Sequence, residues 1–405
     1  MTLVTEAAQR RRIPVVDALR GFALFGILMV NITYFASAYH GTGLEDPGFS
    51  GPLDRGVRYL VAVLFETKFY LLFSFLFGYS FTLQLASAAR SGSRFVPRFL
   101  RRLAVLFAIG AFHAVVLFPG DILTTYACLG LLLLAARRVR PARALRTAIA
   151  LLTVTAGAYM IVAAVQSAAG GGGLDPVAVG AQAQRATEGL RGGPGSVIAT
   201  YLGELPDVVA LLVFFQAPAA LAAFLLGLAA GKRTLLADLT HSGPALRRII
   251  RIGVPVGLIG GIVYAHASLE HPGTAYQLFA LGVDMLTAPF LAAAYAAIVL
   301  RWASSAQGRR TAEALSPAGR MTLTAYLTQS LVCALIFTGY GAAMVGRLSP
   351  LAVLALALVL FAVQLAACRW WMSRHPYGPL EWLLRAATNA EWPRWRTRPG
   401  VSSGA

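Results

Sequence analysis

The chain has 405 residues, of which 57% are hydrophobic and only 13% charged, with 35 lysines and arginines against 17 acidic residues. A soluble domain carries about a quarter charged residues to clothe its surface, so a water-soluble globular protein is excluded. The formal charge of +18 does not point to nucleic acid, because the basic residues sit between apolar runs and lack any nucleic-acid-binding motif or interleaved aromatics.

The apolar runs approach 20 residues, the length that crosses ~30 Å of hydrocarbon as a helix. Short alternating strands, the mark of a membrane barrel, are absent from the sequence. The expected fold is therefore an all-α polytopic helical bundle. Ten spans are expected, at 21–39, 68–88, 103–118, 121–136, 148–165, 208–230, 252–266, 276–300, 321–345 and 351–371. Residues 1–378 form one bundle in this reading. A Gly-rich segment at 166–207 makes an outer cap or loop, and 379–405 forms an interfacial helix and a disordered tail.

With the N-terminus inside, all the lysines and arginines except Arg55, Arg58, Lys68, Arg185, Arg191 and Arg347 fall on the cytoplasmic side. Both termini are then cytoplasmic, in a multi-pass protein of the plasma or inner membrane. Arg10 to Arg12 and Ala36-Ser37-Ala38 frame a stretch like a cleavable signal, but it is longer than a signal core, and retention is expected. Cys128, Cys333 and Cys368 form no C-x-x-C pair, so neither a metal site nor a disulfide framework is expected.

Ionisable groups inside a membrane are expensive and mark functional sites. His113 lies within the third expected span and Asp284 within the eighth, with Glu66 and Lys68 at the outer start of the second. Asn31 and Gln329 are uncharged but also need partners in hydrocarbon. Arg20 precedes Asn31 by eleven positions and Arg102 precedes His113 by the same spacing. Eleven residues are nearly three helical turns, so each pair shares one face over ~16 Å. Arg20, Arg98, Arg102 and Arg320 sit at the cytoplasmic edge, where guanidinium groups suit phosphates; snorkelling alone also places arginines there.

Asp121 follows the Pro119-Gly120 turn. It can cap the fourth helix or orient His113 across the turn. Asp17 can pair with Arg20 one turn on. Thr322, Tyr326, Gln329 and Cys333 make a polar stripe, which either lines a substrate path or bonds helices together. The glycines at 78, 110, 130, 227 and 339 are expected to let helices pack closely. No Walker A loop, nucleophile elbow, H-E-x-x-H pair or dinucleotide fingerprint is present in the sequence, so no bound cofactor is expected.

Five segments carry a family likeness: Val16-Asp17-Ala18-Leu19-Arg20-Gly21-Phe22 with Asn31; Lys68-Phe69-Tyr70-Leu71-Leu72-Phe73-Ser74-Phe75-Leu76-Phe77-Gly78; Gly120-Asp121-Ile122-Leu123; Gly319-Arg320-Met321-Thr322-Leu323-Thr324-Ala325-Tyr326; and Gly378-Pro379-Leu380-Glu381-Trp382. Together these resemble the YeiB-like family, domain of unknown function 418. More remotely, the first span is similar to that of transmembrane acyltransferases acting on sugars and lipids, with Asn31 where those carry a histidine.

That resemblance implies acyl transfer from cytoplasmic acyl-CoA to a hydroxyl or amine of an extracytoplasmic glycan, lipid or small metabolite. His113 would be the base, Asp121 its orienter, Arg20, Arg98, Arg102 and Arg320 the phosphate ligands, and Asn31 and Gln329 oxyanion donors. A small-metabolite exporter, with Asp284, His113 and the Tyr326 stripe lining its path, and a non-catalytic membrane scaffold are the alternatives. The oligomeric state is open.

Overall fold

A computed structural model describes residues 14–170, 175–240 and 242–396. Among these the secondary structure is helical, with no strand. The α-helices are α1 (Pro14–Ala36), α2 (Pro52–Leu64), α3 (Lys68–Arg90), α4 (Phe95–Val116), α5 (Ile122–Ala135), α6 (Pro141–Ala168), α7 (Pro176–Arg191) and α8 (Pro194–Leu211). They continue with α9 (Ala217–Lys232), α10 (Leu235–Leu239), α11 (Gly243–Glu270), α12 (Ala275–Ala303), α13 (Ala306–Arg320), α14 (Thr322–Phe337), α15 (Pro350–Met372) and α16 (Pro379–Asn389).

Eight helical segments among the described residues are long and apolar enough to cross a membrane, and the pair α13–α14, bent by 82°, makes up to nine. The multi-pass helical bundle read from the sequence is therefore present. Two of the ten expected spans are shorter than drawn. The run at 121–136 is α5, whose 14 residues reach only about 21 Å. The run at 321–345 stops at Phe337, where Thr338 leaves the helical region and turns its hydroxyl back onto the Ala334 carbonyl. α5 nevertheless returns the chain to the arginine-rich end, where Lys232 Nζ donates to the carbonyls of Arg137 and Val139 at 2.8 and 2.6 Å.

The segment at 166–207 is largely helical rather than a loop. Asp175 caps α7 by accepting from the Val177 N–H, and prolines at the first turns of α7 and α8 start both helices. α7 docks through Arg191, whose Nε and Nη2 donate to the Val345 carbonyl at 2.9 and 2.7 Å. α8 then runs through a π-helical turn, Leu212–Gln216, into α9.

α1 is the centre of the bundle. Of its span, 67% is buried, more than in any other crossing. Its close fit to α13 depends on small residues. A Cβ on Gly21 would come within 2.4 Å of the Leu315 carbonyl oxygen, and one on Gly319 within 1.7 Å of the Asp17 carbonyl oxygen. Gly78 and Gly227 do the same for α3 and α9. α1 supplies the surface on which α3, α13, α14 and α15 pack.

α2 and α3 form one crossing interrupted at 65–67, where Thr67 takes a positive φ of 65°. The interruption frees carbonyls in the bundle interior. Tyr295 donates to that of Leu64 at 2.9 Å and Lys68 Nζ to that of Ala62 at 3.4 Å. α16 forms where the interfacial helix was expected and docks on α4. Beyond it, Trp392 stacks on Trp382, and Trp395 meets Trp371, Trp382 and His375 edge-on. Residues 392–396 are thus held by aromatic packing, while 397–405 lie outside the described residues.

Candidate functional site

The predicted polar residues gather into three clusters. The first is built on the hairpin of α4 and α5. The Pro119-Gly120 turn places His113 and Asp121 side by side, and His113 Nδ1 lies 2.9 Å from Asp121 Oδ1. Both side chains are buried, at 0% and 1% exposed. Asp121 also caps α5, its Oδ2 accepting from the Thr124 N–H at 2.7 Å and the Thr124 hydroxyl at 2.9 Å. The carboxylate therefore does both jobs that the sequence left as alternatives.

The Thr124 N–H and hydroxyl both donate to Asp121, and the Nδ1–H tautomer of His113 completes the set; in that neutral tautomer Nε2 holds the lone pair. Nε2 has no hydrogen-bond partner. The ring faces Tyr326 of α14 at 5.1 Å between centroids and Phe118 at 6.3 Å. The Tyr326 hydroxyl is enclosed near Asp121 and the Ile122 backbone without a hydrogen bond of normal length.

Gly110, one turn before His113, makes room for this arrangement. A Cβ there would lie 2.6 Å from Asp121 Oδ2 and 2.7 Å from the Thr124 nitrogen. Gly110→Ala must push the carboxylate aside, and the combined loss of cap and packing is expected to lower stability by about 1–3 kcal/mol. Thermal unfolding of the purified variant should show that loss. Gly56→Ala, where a Cβ meets nothing within 4 Å, should melt with the wild type. Equal melting of both variants with the wild type would contradict this geometry.

The second cluster lies at the arginine-rich end. Arg20 Nη1 donates to Asp17 Oδ1 and Nη2 to Ser80 Oγ, both at 2.6 Å. Arg102 lies beside Arg20, Arg385 and Glu381, and its Nε is buried without a hydrogen-bond partner. Arg98 is half-buried one turn earlier on α4, and Arg320 closes α13 at the bend. Glu381 of α16 caps α14. Its Oε1 accepts from the Leu323 and Thr324 N–H groups at 2.7 and 3.2 Å, and its Oε2 from the Thr324 hydroxyl at 2.6 Å. Burial pushes the Glu381 carboxyl above the usual carboxylate range, partly offset by the Thr324 and Leu323 donors.

The third cluster surrounds the interruption between α2 and α3. Lys68 Nζ and Asp284 Oδ1 pair at 3.1 Å with side chains 0% and 3% exposed. Lys68 also lies 5.4 Å from the centre of the Tyr264 ring. Tyr264 donates its hydroxyl to Glu66 Oε2 at 2.9 Å, and His40 Nε2 stands 3.4 Å from Glu66 Oε1. Asp284 and His113 thus belong to different clusters.

Gln329 is tied into the helix packing. Its Nε2 donates to Gln364 Oε1 at 2.7 Å, and Gln364 Nε2 donates to the Ala325 carbonyl at 2.8 Å. Asn31 is half-buried on α1. No group of three or more potential metal ligands occurs among the described residues. Gln364, Glu381, Tyr264 and His40 are the partners that sequence reading missed. Gln364 interrupts an apolar span just as Gln329 does, and the same criterion finds it.

The uncharacterized protein YxaH of Bacillus subtilis (strain 168) is 32% identical over 410 residues, spanning 97% of this chain and 98% of its own. The uncharacterized protein YeiB of Escherichia coli (strain K12) is 26% identical over 392 residues, with 92% and 95% covered. The chain belongs to the YeiB-like family. The family description "Protein of unknown function (DUF418)" matches residues 230–391, from the end of α9 to just beyond α16. Another YeiB-like relative is the uncharacterized 39.9 kDa protein in the amylase 3' region of Bacillus acidopullulyticus, 29% identical over 385 residues and covering 94% and 95% of the two chains. No solved structure matches the chain.

Proposed function

We propose that the protein is a plasma-membrane acyltransferase carrying an acyl group from cytoplasmic acyl-CoA to an acceptor on the other side. The observation that supports this reading best is the His113–Asp121 pair, which holds the imidazole through Nδ1 and leaves Nε2 as a lone-pair base. The CoA phosphates meet Arg20, Arg98, Arg102 and Arg320. Tyr326 and Phe118 cover the imidazole, and the acceptor reaches Nε2 when those rings turn away.

Nε2 then takes the proton from an acceptor hydroxyl or amine as that group attacks the thioester carbonyl. Asn31 donates to the oxyanion. The C–S bond breaks, CoA leaves as its thiolate, and the imidazolium returns the proton to it. The acceptor is a glycan, a lipid or a small metabolite. In the test, purified protein is incubated with acetyl-CoA and longer acyl-CoAs in detergent while free thiol is measured. Release above a protein-free control, abolished in His113→Ala, is the expected result; no binding and no release with any chain length would end this reading.

The sidedness rests on the basic residues and is separately testable. Reporter fusions after residues 140 and 310 should report cytoplasm, and after 45 and 180 the outside. A cytoplasmic signal at 180 would refute it. A second reading, export of a small metabolite, draws on the buried Lys68–Asp284 pair at an interrupted helix, a place where membrane transporters put their substrates.

A further inference from the structure

A cavity of about 300 Å³ opens among α3, α6, α9, α10, α11 and α12, away from the His113 cluster. Its wall is apolar, built from residues such as Leu72, Phe75, Leu152, Ala223 and Ala296, and its single charged lining residue is Arg233. Protein interiors are close-packed and tolerate few voids larger than a water molecule. An apolar volume of this size inside a bilayer is a place for hydrocarbon.

The chain is shaped to put positive charge at one end of that volume. Arg233 ends α9 exposed, and Thr234 turns sharply at φ 55°, so that α10 folds back with Leu235, Leu236 and Leu239 as cavity wall. The neighbouring ammonium of Lys232 is consumed by two backbone carbonyls, whereas Arg233 projects to solvent. Arg247 and Arg248 are exposed beside the lining residue Leu246. One acid is close by, Asp238 on the outer side of α10, where it accepts from the Thr234 hydroxyl at 3.4 Å. An apolar slot with an arginine-flanked mouth matches an amphiphile with an anionic head.

We infer that this cavity is a binding site for an anionic phospholipid of the leaflet on the arginine-rich side, one acyl chain filling the slot and the phosphate meeting Arg233. The site is independent of the acyl-transfer reading.

The test is lipid retention by native mass spectrometry of the full chain, exposed to equal amounts of dioleoylphosphatidylglycerol and dioleoylphosphatidylcholine. Wild type should keep one phosphatidylglycerol per chain in preference to phosphatidylcholine. Arg233→Gln, at an exposed position, should keep the fold and lose about fivefold of that preference, the effect of roughly 1 kcal/mol per basic residue at a lipid surface. Ala293→Phe, at an exposed lining position, should fill part of the slot and release both lipids. Equal retention of the two lipids by wild type, or unchanged retention in either variant, overturns the proposal. Should Ala293→Phe fail to fold, Arg233→Gln decides alone.

Discussion

Replacing His113 by alanine should lower turnover by ~10²–10⁴-fold, the usual contribution of a positioned general base. His113→Gln should be as inactive, since an amide fits the space but cannot accept the proton at Nε2. Removing the imidazole also takes one of three donors from the Asp121 carboxylate, with an expected stability loss of about 1–3 kcal/mol. The control that separates the two effects is Arg102→Ala. It leaves the His113–Asp121 pair intact and, if Arg102 holds donor phosphates, should raise apparent KM more than it lowers kcat. Steady-state thiol release with a melting curve for each variant provides both readings. Wild-type turnover in His113→Ala would remove His113 from the mechanism and leave its burial as packing.

The largest effect on stability is expected at Lys68. With its side chain fully buried and its ammonium 3.1 Å from Asp284, Lys68→Met strands a carboxylate in the bundle interior. Breaking a buried pair from one side destabilises by about 3–5 kcal/mol, and Asp284→Leu should do the same by stranding the ammonium. The double variant removes both charges together and should recover most of the loss, a strong departure from additivity. Thermal unfolding of the four proteins in one detergent measures the cycle. Additive losses in the double variant would mean that the pair is not the stabilising contact. The cycle also bears on export: a double variant that folds yet fails to move substrate would give the pair a role in transport.

Much of the architecture was legible because bilayer length and the arginine distribution act on whole segments. The hairpin that joins His113 to Asp121 was legible for a local reason, as a tight Pro-Gly turn brings the start of α5 back beside the last turn of α4. The Lys68–Asp284 pair was not, because the partners are 216 positions apart and nothing in either segment encodes their meeting. The helices between 175 and 211 were hidden by glycines at 180, 189 and 203, which read as breakers but cost only about 1 kcal/mol each inside a helix. Gln329 read more readily as helix packing than as a substrate contact, and its partner Gln364, 35 positions away, was not visible from the stripe. Glu381 was visible within the Gly378-Pro379-Leu380-Glu381-Trp382 segment, but its target, the start of α14, is fixed by the docking of α16 and not by any local pattern.

That cap has a consequence for the order of biosynthesis. α14 carries Tyr326 against His113, and the Leu323 N–H that helps open α14 is satisfied by a carboxylate 58 positions further along the chain. Every earlier span can enter the bilayer while the first turn of α14 still lacks its partner. The wall beside His113 is therefore completed only once α16 has docked.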